Sequence, residues 1–163
     1  MGFWDPAGLS ADIPQGRLLW FREAELKHGR VAMLGTLGLL VSEKFHPFFG
    51  VGDIPMTMVF KDMSLSLTLF WFNLFFLCFL FEGPTLSAYD GNINTQALNE
   101  NFVPGNFGFD PLNIKPRDPE AWKTMQTKEI NNGRLAMVGF MGMLAEELLT
   151  GKQIDPLHPP WGR

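Results

Sequence analysis

The feature that most constrains the fold is a run of nineteen residues without a charge, from Met63 to Phe81. At about 1.5 Å of rise per residue, a helix of this run is roughly 28 Å long, close to the ~30 Å of a bilayer's hydrocarbon core. The alternative is a core helix of a soluble domain, but such helices are rarely apolar on every face over this length. The run therefore predicts a membrane-spanning helix at about residues 57–82.

Two further helices are predicted at residues 17–43 and 119–150. Each begins with charged residues and then becomes apolar, as VAMLGTLGLLV in the first and LAMVGFMGMLA in the second. The apolar runs alone are too short to span a membrane, but the whole helices are long enough if their charges are neutralised. The sequence thus predicts an all-α membrane protein with three transmembrane helices, forming a single domain over residues 1–163.

The first and third predicted helices are copies of one another, because the sequence repeats at an offset of 104 residues (129 − 25). The repeat aligns ELKHGRVAMLGTLG, which begins at Glu25, with EINNGRLAMVGFMG, which begins at Glu129. The similarity extends upstream, where FWDP at 3–6 and GFDP at 108–111 precede the two copies. Identity of this density indicates an internal duplication.

The duplication supplies a way to neutralise the charges. One span lies between the copies, so both cross in the same direction and are related by a two-fold axis along the membrane normal. Across that axis Glu25 can meet Arg134 while Glu129 meets Arg30, which removes the penalty of four charges in lipid. The alternative is that these pairs only lock the helices together. Repeated small residues are expected to let the backbones, or a flat ligand, come close: Gly35, Gly38, Gly139 and Gly142.

Each copy also carries two potential metal ligands on one helical face, Glu25 with His28 and Glu129 with Asn132. These donors do not form a tetrahedral zinc site. As separate ligands each suits a magnesium ion that a macrocycle already holds by four nitrogens and that needs one axial donor. The simpler alternative for a lone His or Asn is a hydrogen-bonded structural role.

Charge and cysteine content exclude several classes. Thirteen Lys and Arg against seventeen Asp and Glu leave a net charge of −4 without a basic stripe, so nucleic acid is not an expected partner. A lone cysteine, Cys78, excludes an internal disulfide, a cysteine zinc site and an iron–sulfur cluster.

The spacing Glu25-x-x-His28-x-Arg30 and its copy, with NGRLAM at 132–137, resembles the first and third helices of the chlorophyll-binding light-harvesting family, and the resemblance covers nearly the whole chain. It implies the axial magnesium ligands Glu25, His28, Glu129 and Asn132, with Arg30 and Arg134 bridging to the opposite glutamates. It implies three more ligands. Glu82 matches the glutamate that ends the family's middle helix, although Pro84 and Thr85 stand where a basic residue often follows. Glu146 replaces a glutamine, and His158 either caps a further chlorophyll or lies in a solvated tail.

The turns at Asp5-Pro6 and Asp110-Pro111 resemble the family's loops that hold carotenoid end groups. From the residues alone, Asp-Pro is first of all a turn former and a helix-start signal.

The strings AELKHGRVAML, EKFHPFFG and MQTKEINNGRLAM most resemble the chlorophyll a/c antennas of red-lineage algae. This implies chlorophyll a, chlorophyll c and a xanthophyll such as fucoxanthin or peridinin as cofactors. The implied function is an antenna that passes excitation to a photosystem, with neighbouring antenna subunits and thylakoid lipids as partners. Photosystem I is favoured over photosystem II, although no sequence feature decides between them.

Other functions remain as alternatives. A photoprotective relative would be expected to cluster acidic residues on the lumenal side, and here they are scattered. A small transporter built from repeats would usually have broken helices. No nucleophile–base pair stands out, so no enzyme is predicted. Seven Lys and Arg on the N-terminal side of the repeats against four on the other predict a multi-pass thylakoid protein with a stromal N-terminus.

Overall fold

The computed structural model describes residues 5–8, 10–42, 65–89, 97–108, 110–152 and 154. In these ranges the chain forms three helices, α1 (Gln15–Ser42), α2 (Leu65–Ser87) and α3 (Pro119–Thr150). No strand occurs in them, and an isolated β-bridge joins Tyr89 to Leu98. The all-α class is therefore confirmed for the described part of the chain. Among the described residues, none of the helices is both long enough and apolar enough to cross a membrane.

The prediction for the middle helix was wrong at its C-terminal end. The sequence favoured a helix that ends at Glu82, whereas α2 continues through Gly83 and Pro84 to Ser87. Residues 57–64, where this helix was expected to begin, lie outside the described residues. The helices α1 and α3 occupy almost the expected ranges, since α1 is shifted by one or two residues at its ends and α3 spans 119–150.

Two residues at the C-terminal end of α2 are buried, one in its last turn and one just beyond it. Thr85 and Ala88 are only 4% and 8% exposed. The Asn99 N–H donates to the Ala88 carbonyl at 2.9 Å, next to the bridge between Tyr89 and Leu98. Packing of this turn against the segment 97–99 outweighs the helix-breaking tendency of the Gly-Pro pair, because tertiary contacts override local propensity.

The ends of α3 follow from local signals in the sequence. Asp118 is the N-cap, and its carboxylate accepts the Ala121 N–H at 3.0 Å ahead of Pro119 at the first helical position. Gly151 ends the helix in the left-handed conformation, at φ 62°, and its N–H donates to the Glu147 carbonyl at 2.9 Å. Two strong signals therefore bound the helix that carries the second repeat.

The helices α1 and α3 pack against each other and touch most closely at Gly29 and Gly133. A Cβ atom added at Gly29 would lie 3.0 Å from the Gly133 Cα, and the reverse distance is also 3.0 Å. Leu26 and Ala32 are buried on either side of Gly29 along α1. Small residues at the crossing thus allow direct contact between the two backbones.

At the later repeated glycines the two backbones do not meet, so a close approach there stays a prediction for a flat ligand only. A Cβ atom at Gly35 would meet the Phe140 ring at 2.9 Å, and at Gly38, Gly139 and Gly142 it would meet no atom of the described residues within 4 Å. Two crossing helices touch closely over a short length only, and the point of contact is at the first glycine of each repeat. The later glycines leave space beside the helices.

Candidate functional site

The four charged residues of the repeat come together as two ion pairs between α1 and α3. The Arg134 Nε donates to Glu25 Oε1 at 2.6 Å, and the Arg30 Nε donates to Glu129 Oε1 at 2.7 Å. Both are charge-assisted hydrogen bonds, which are stronger than neutral ones. The same arginine atom meets the same carboxylate oxygen in both pairs, so the arrangement is reciprocal.

The surroundings of the two pairs are not equal. Glu25 has a second arginine, since Arg22 Nη1 lies 3.0 Å from Glu25 Oε2. In the other pair it is the arginine that makes a further contact, because Arg30 Nη2 donates to the Gly105 carbonyl at 3.0 Å. One carboxylate thus faces two cations, whereas the other faces one cation that a loop also holds.

His28 is exposed on α1 and is oriented by its own helix. Its Nδ1 lies 2.7 Å from the Ala24 carbonyl. A carbonyl only accepts, so in the neutral ring Nδ1 carries the proton, and the lone pair of Nε2 is left for a ligand. Asn132, the equivalent residue of the second copy, is likewise exposed on α3. The structure therefore places these two donors on the outside of the crossed helices.

Both glutamates of the repeat retain capacity for a metal. A carboxylate has about four lone-pair positions. The arginines occupy one position on Glu129 and two on Glu25. Ligation by Glu25 would share Oε2 with Arg22, which is half-exposed and can move. Among the described residues no three His, Cys, Asp or Glu side chains converge. Each of the four donors could hold a magnesium centre that a macrocycle already binds.

The remaining predicted ligands occupy different places. Glu82 lies on α2 with its side chain 51% exposed, and it forms an ion pair with Lys27 of α1. Glu146 is half-buried near the end of α3. His158 lies outside the described residues.

Both Asp-Pro turns are closed by their aspartates. Asp5 accepts the Ser10 N–H at 2.8 Å and the Ser10 hydroxyl at 2.5 Å. Asp110 accepts the N–H groups of Ile114 and Lys115, both at 3.0 Å. Pro6 and Pro111 are exposed beside them. The turn-forming role of the aspartates is thus seen in both copies.

The two grooves beside the helix crossing differ at one pair of equivalent positions. Phe140 of α3 lies against Gly35. The residue equivalent to Phe140 in the first copy is Thr36, whose hydroxyl donates to the Ala32 carbonyl at 2.7 Å. No side chain in the described part of the chain fills the space at Gly139, the equivalent of Gly35. One groove is therefore narrowed by an aromatic ring and the other stays open.

Several residues that matter here were not found from the sequence. Glu23 is 2% exposed and Glu147 is fully buried. Lys27 binds Glu82 across two helices, and Gly105 lies between the two repeats in the chain yet contacts α1. Only the spacing of Glu23 and Lys27, four residues apart on a helix, could have indicated an ion pair.

In the described part of the chain, these features define a class of all-helical protein with two related helices that cross at glycine, exchange ion pairs and carry exposed His and Asn side chains beside the pairs. Comparison with known families agrees, since residues 1–148 match the sequence model of the chlorophyll A-B binding protein family. The chain belongs to this family, and the resemblance drawn from the motifs is confirmed.

The relatives include both chlorophyll a-c and chlorophyll a-b binding proteins. A chloroplastic fucoxanthin-chlorophyll a-c binding protein of Isochrysis galbana is 35% identical, over 99% of this chain and 78% of its own length. The light-harvesting complex stress-related protein 3.1 of Chlamydomonas reinhardtii is 38% identical over 94% of this chain. A chlorophyll a-b binding protein of Petunia hybrida is 34% identical over 91%. The chain spans only about three fifths of the length of the last two relatives, 61% and 58%.

Proposed function

We propose that this chain is a light-harvesting antenna protein that binds chlorophylls and carotenoid and passes excitation energy to a photosystem. The observation that carries the proposal is the pair of reciprocal ion pairs, with His28 and Asn132 facing outwards beside them, in a chain of this family. The pigments supply the absorption and transfer of light, and the protein positions them and tunes their surroundings.

Four residues are the proposed central ligands, Glu25, His28, Glu129 and Asn132. The arginines neutralise and orient the two glutamates, which is how partners outside the first coordination sphere tune a ligand. The Ala24 carbonyl fixes the tautomer of His28 in the same way. Glu82 and Glu146 are proposed as further ligands. So is His158, outside the described residues.

Chlorophyll a, chlorophyll c and a fucoxanthin-type carotenoid are the proposed pigments. The similarity to fucoxanthin-chlorophyll a-c binding proteins, at 35% and 34% identity, supports chlorophyll c and a fucoxanthin-type carotenoid. The carotenoid end groups are assigned to the turns at Asp5-Pro6 and Asp110-Pro111, whose backbones are held rigid by the aspartates.

A three-span arrangement in the thylakoid membrane, with the N-terminus in the stroma, is part of the proposal. It rests on the uncharged run at Met63–Phe81, on the excess of Lys and Arg on the N-terminal side and on the chloroplastic relatives. Exposed apolar side chains of α2 would face lipid, pigment or a neighbouring subunit: Leu69, Phe72, Phe75, Phe76 and Phe79.

A photosystem core and adjacent antenna subunits are the proposed partners, with photosystem I preferred. The second candidate function is a photoprotective role, which the 37–38% identity to stress-related light-harvesting proteins favours.

Absorption and fluorescence-excitation spectra of the purified protein in mild detergent test the proposal. Chlorophyll Q bands are expected, and light absorbed by the carotenoid should appear as chlorophyll emission. Soret shoulders distinguish chlorophyll c from chlorophyll b. His28→Leu should lose a chlorophyll that His28→Gln, which keeps a donor, retains. A folded protein without pigment after reconstitution would contradict the antenna function, and a short fluorescence lifetime in the pigmented protein would favour photoprotection.

A further inference from the structure

A further role can be inferred for Lys27 from the groups that surround it. It lies on α1 between two carboxylates, with its side chain 23% exposed. Its Nζ forms an ion pair with Glu82 of α2 and lies 3.8 Å from Glu23 Oε1 of its own helix. The side chain also passes the Phe107 ring, with Nζ 5.9 Å from the ring centroid.

A buried carboxylate lies beside Lys27. Glu23 is 2% exposed, and its Oε2 accepts the Gly105 N–H at 2.7 Å. Its Oε1 makes no hydrogen bond within the described residues, so Lys27 is the nearest cation for that oxygen. A buried carboxylate is strongly unfavourable without a partner. The negative charge of Glu23 therefore attracts the ammonium group on the side of α1 that faces Glu82.

The contact at Glu82 repeats the pattern of the two crossing pairs. In those pairs a cation from one helix binds one oxygen of a glutamate on the other helix. At Glu82 the cation comes from α1 and binds Oε2, which leaves Oε1 for a metal. The residues that follow Glu82 in sequence, Gly83 to Ser87, contain no cation of their own.

We propose that Lys27 is a positioning residue for the chlorophyll site at Glu82, where it would neutralise and orient this carboxylate as the magnesium ligand. This inference rests on the proposed function and extends it to a residue that is neither a ligand nor a bridging arginine of the repeated motif. Without the ammonium group, Glu82 would carry an uncompensated charge towards an apolar pigment, and ligation would be weakened. A neutral amide at position 82 would need no such compensation.

The test is reconstitution of the full chain with chlorophyll a, chlorophyll c and carotenoid, with pigments counted per protein. Glu82→Leu defines the site by the absorption band that it removes. Lys27→Met is expected to remove the same band and about one chlorophyll, whereas Lys27→Arg, which keeps the charge, retains both. Lys128→Met, at an exposed lysine of α3, is the matched control and should leave the spectrum unchanged.

Two rescue variants separate the proposed role from a purely structural one. Glu82→Gln added to Lys27→Met should restore the chlorophyll, because the amide oxygen still ligates magnesium. Glu23→Gln added to Lys27→Met should not restore it. Rescue by Glu23→Gln instead would overturn the inference, since Lys27 would then serve only the buried carboxylate.

Two further results would overturn the inference while leaving the antenna function intact. One is full pigment content in Lys27→Met, and the other is an unchanged spectrum in Glu82→Leu. Failure of the unaltered chain to bind any chlorophyll would instead overturn the proposed function itself.

Discussion

The direct contact between α1 and α3 predicts that a single methyl group at the crossing destabilises the protein. In Gly29→Ala the new Cβ would lie 3.0 Å from the Gly133 Cα and 3.5 Å from its carbonyl carbon. Both neighbours are backbone atoms, so they cannot turn aside as a flexible side chain can. The helices must separate by a few tenths of an ångström.

The magnitude follows from two opposing terms. Overpacking of a tight contact costs about 1–3 kcal/mol. Alanine is better than glycine inside a helix by about 0.5–1 kcal/mol. With the middle of each range taken, the net destabilisation is about 1.3 kcal/mol. At about 2–4 °C per kcal/mol for a chain of this size, the melting temperature should fall by roughly 3–5 °C.

Thermal loss of pigment circular dichroism in the reconstituted protein is a suitable assay. Gly142→Ala is the matched control, because a Cβ there meets no atom of the described residues within 4 Å and the residue is exposed on α3. It should not be destabilising. The double variant Gly29→Ala/Gly133→Ala should lose less stability than the sum of the single variants, because one separation of the helices accommodates both methyl groups.

The reasoning is refuted if Gly29→Ala melts at or above the temperature of the unaltered protein. Strict additivity in the double variant would also be inconsistent with a shared contact point.

Three other variants test separate features. Arg30→Leu should lower the melting temperature more than Arg134→Leu, because Glu25 keeps a second arginine at 3.0 Å, whereas Arg30 also holds the Gly105 carbonyl; parallel melts measure the difference. Gly105→Ala should destabilise by about 1–2 kcal/mol, because the residue has φ +77° and the left-handed region is costly with a side chain; thermal melts against the unaltered protein measure it. Asp118→Ala should remove the cap of α3 and cost about 1 kcal/mol, and Asp118→Asn should largely keep it, as measured by the same melts.

Each of these predictions has a clear contrary result. Equal melting temperatures for the two arginine variants would mean that the second arginine at Glu25 contributes nothing. An unchanged melting temperature in Gly105→Ala would mean that the loop changes its backbone conformation without cost. If Asp118→Ala and Asp118→Asn lowered the melting temperature equally, the loss of stability would not come from the missing cap.

Much of the fold could be predicted from the sequence, because the duplication relates residues that are far apart in the chain. The repeated spacing of Glu25 and Arg30 specified which charges could face each other, and the structure brings those residues together. Asp118 and Gly151 bounded α3 because capping depends on neighbouring residues only. Such local signals and internal symmetry can both be read without knowing the tertiary structure.

Contacts between unlike segments could not be predicted in this way. The ion pair of Lys27 with Glu82 joins residues that no pattern relates, and the burial of Glu23 depends on the loop at Gly105. The extension of α2 to Ser87 depends on its packing against residues 97–99. Which of the repeated glycines lies at the helix crossing could not be predicted, because their spacing does not determine where the two helices cross.

If Glu25 and Glu129 hold chlorophylls as proposed, the unequal surroundings of the two crossing pairs have a consequence for light absorption. A fully symmetric scaffold would give chemically identical chlorophylls on Glu25 and Glu129 the same transition energy. Two arginines near Glu25, and one loop-bound arginine near Glu129, produce different local electric fields. The degeneracy of the two pigments would then be lifted, and excitation would flow preferentially to the one of lower energy. A duplicated gene can thus acquire a direction of energy transfer through residues that lie outside the duplicated ligands.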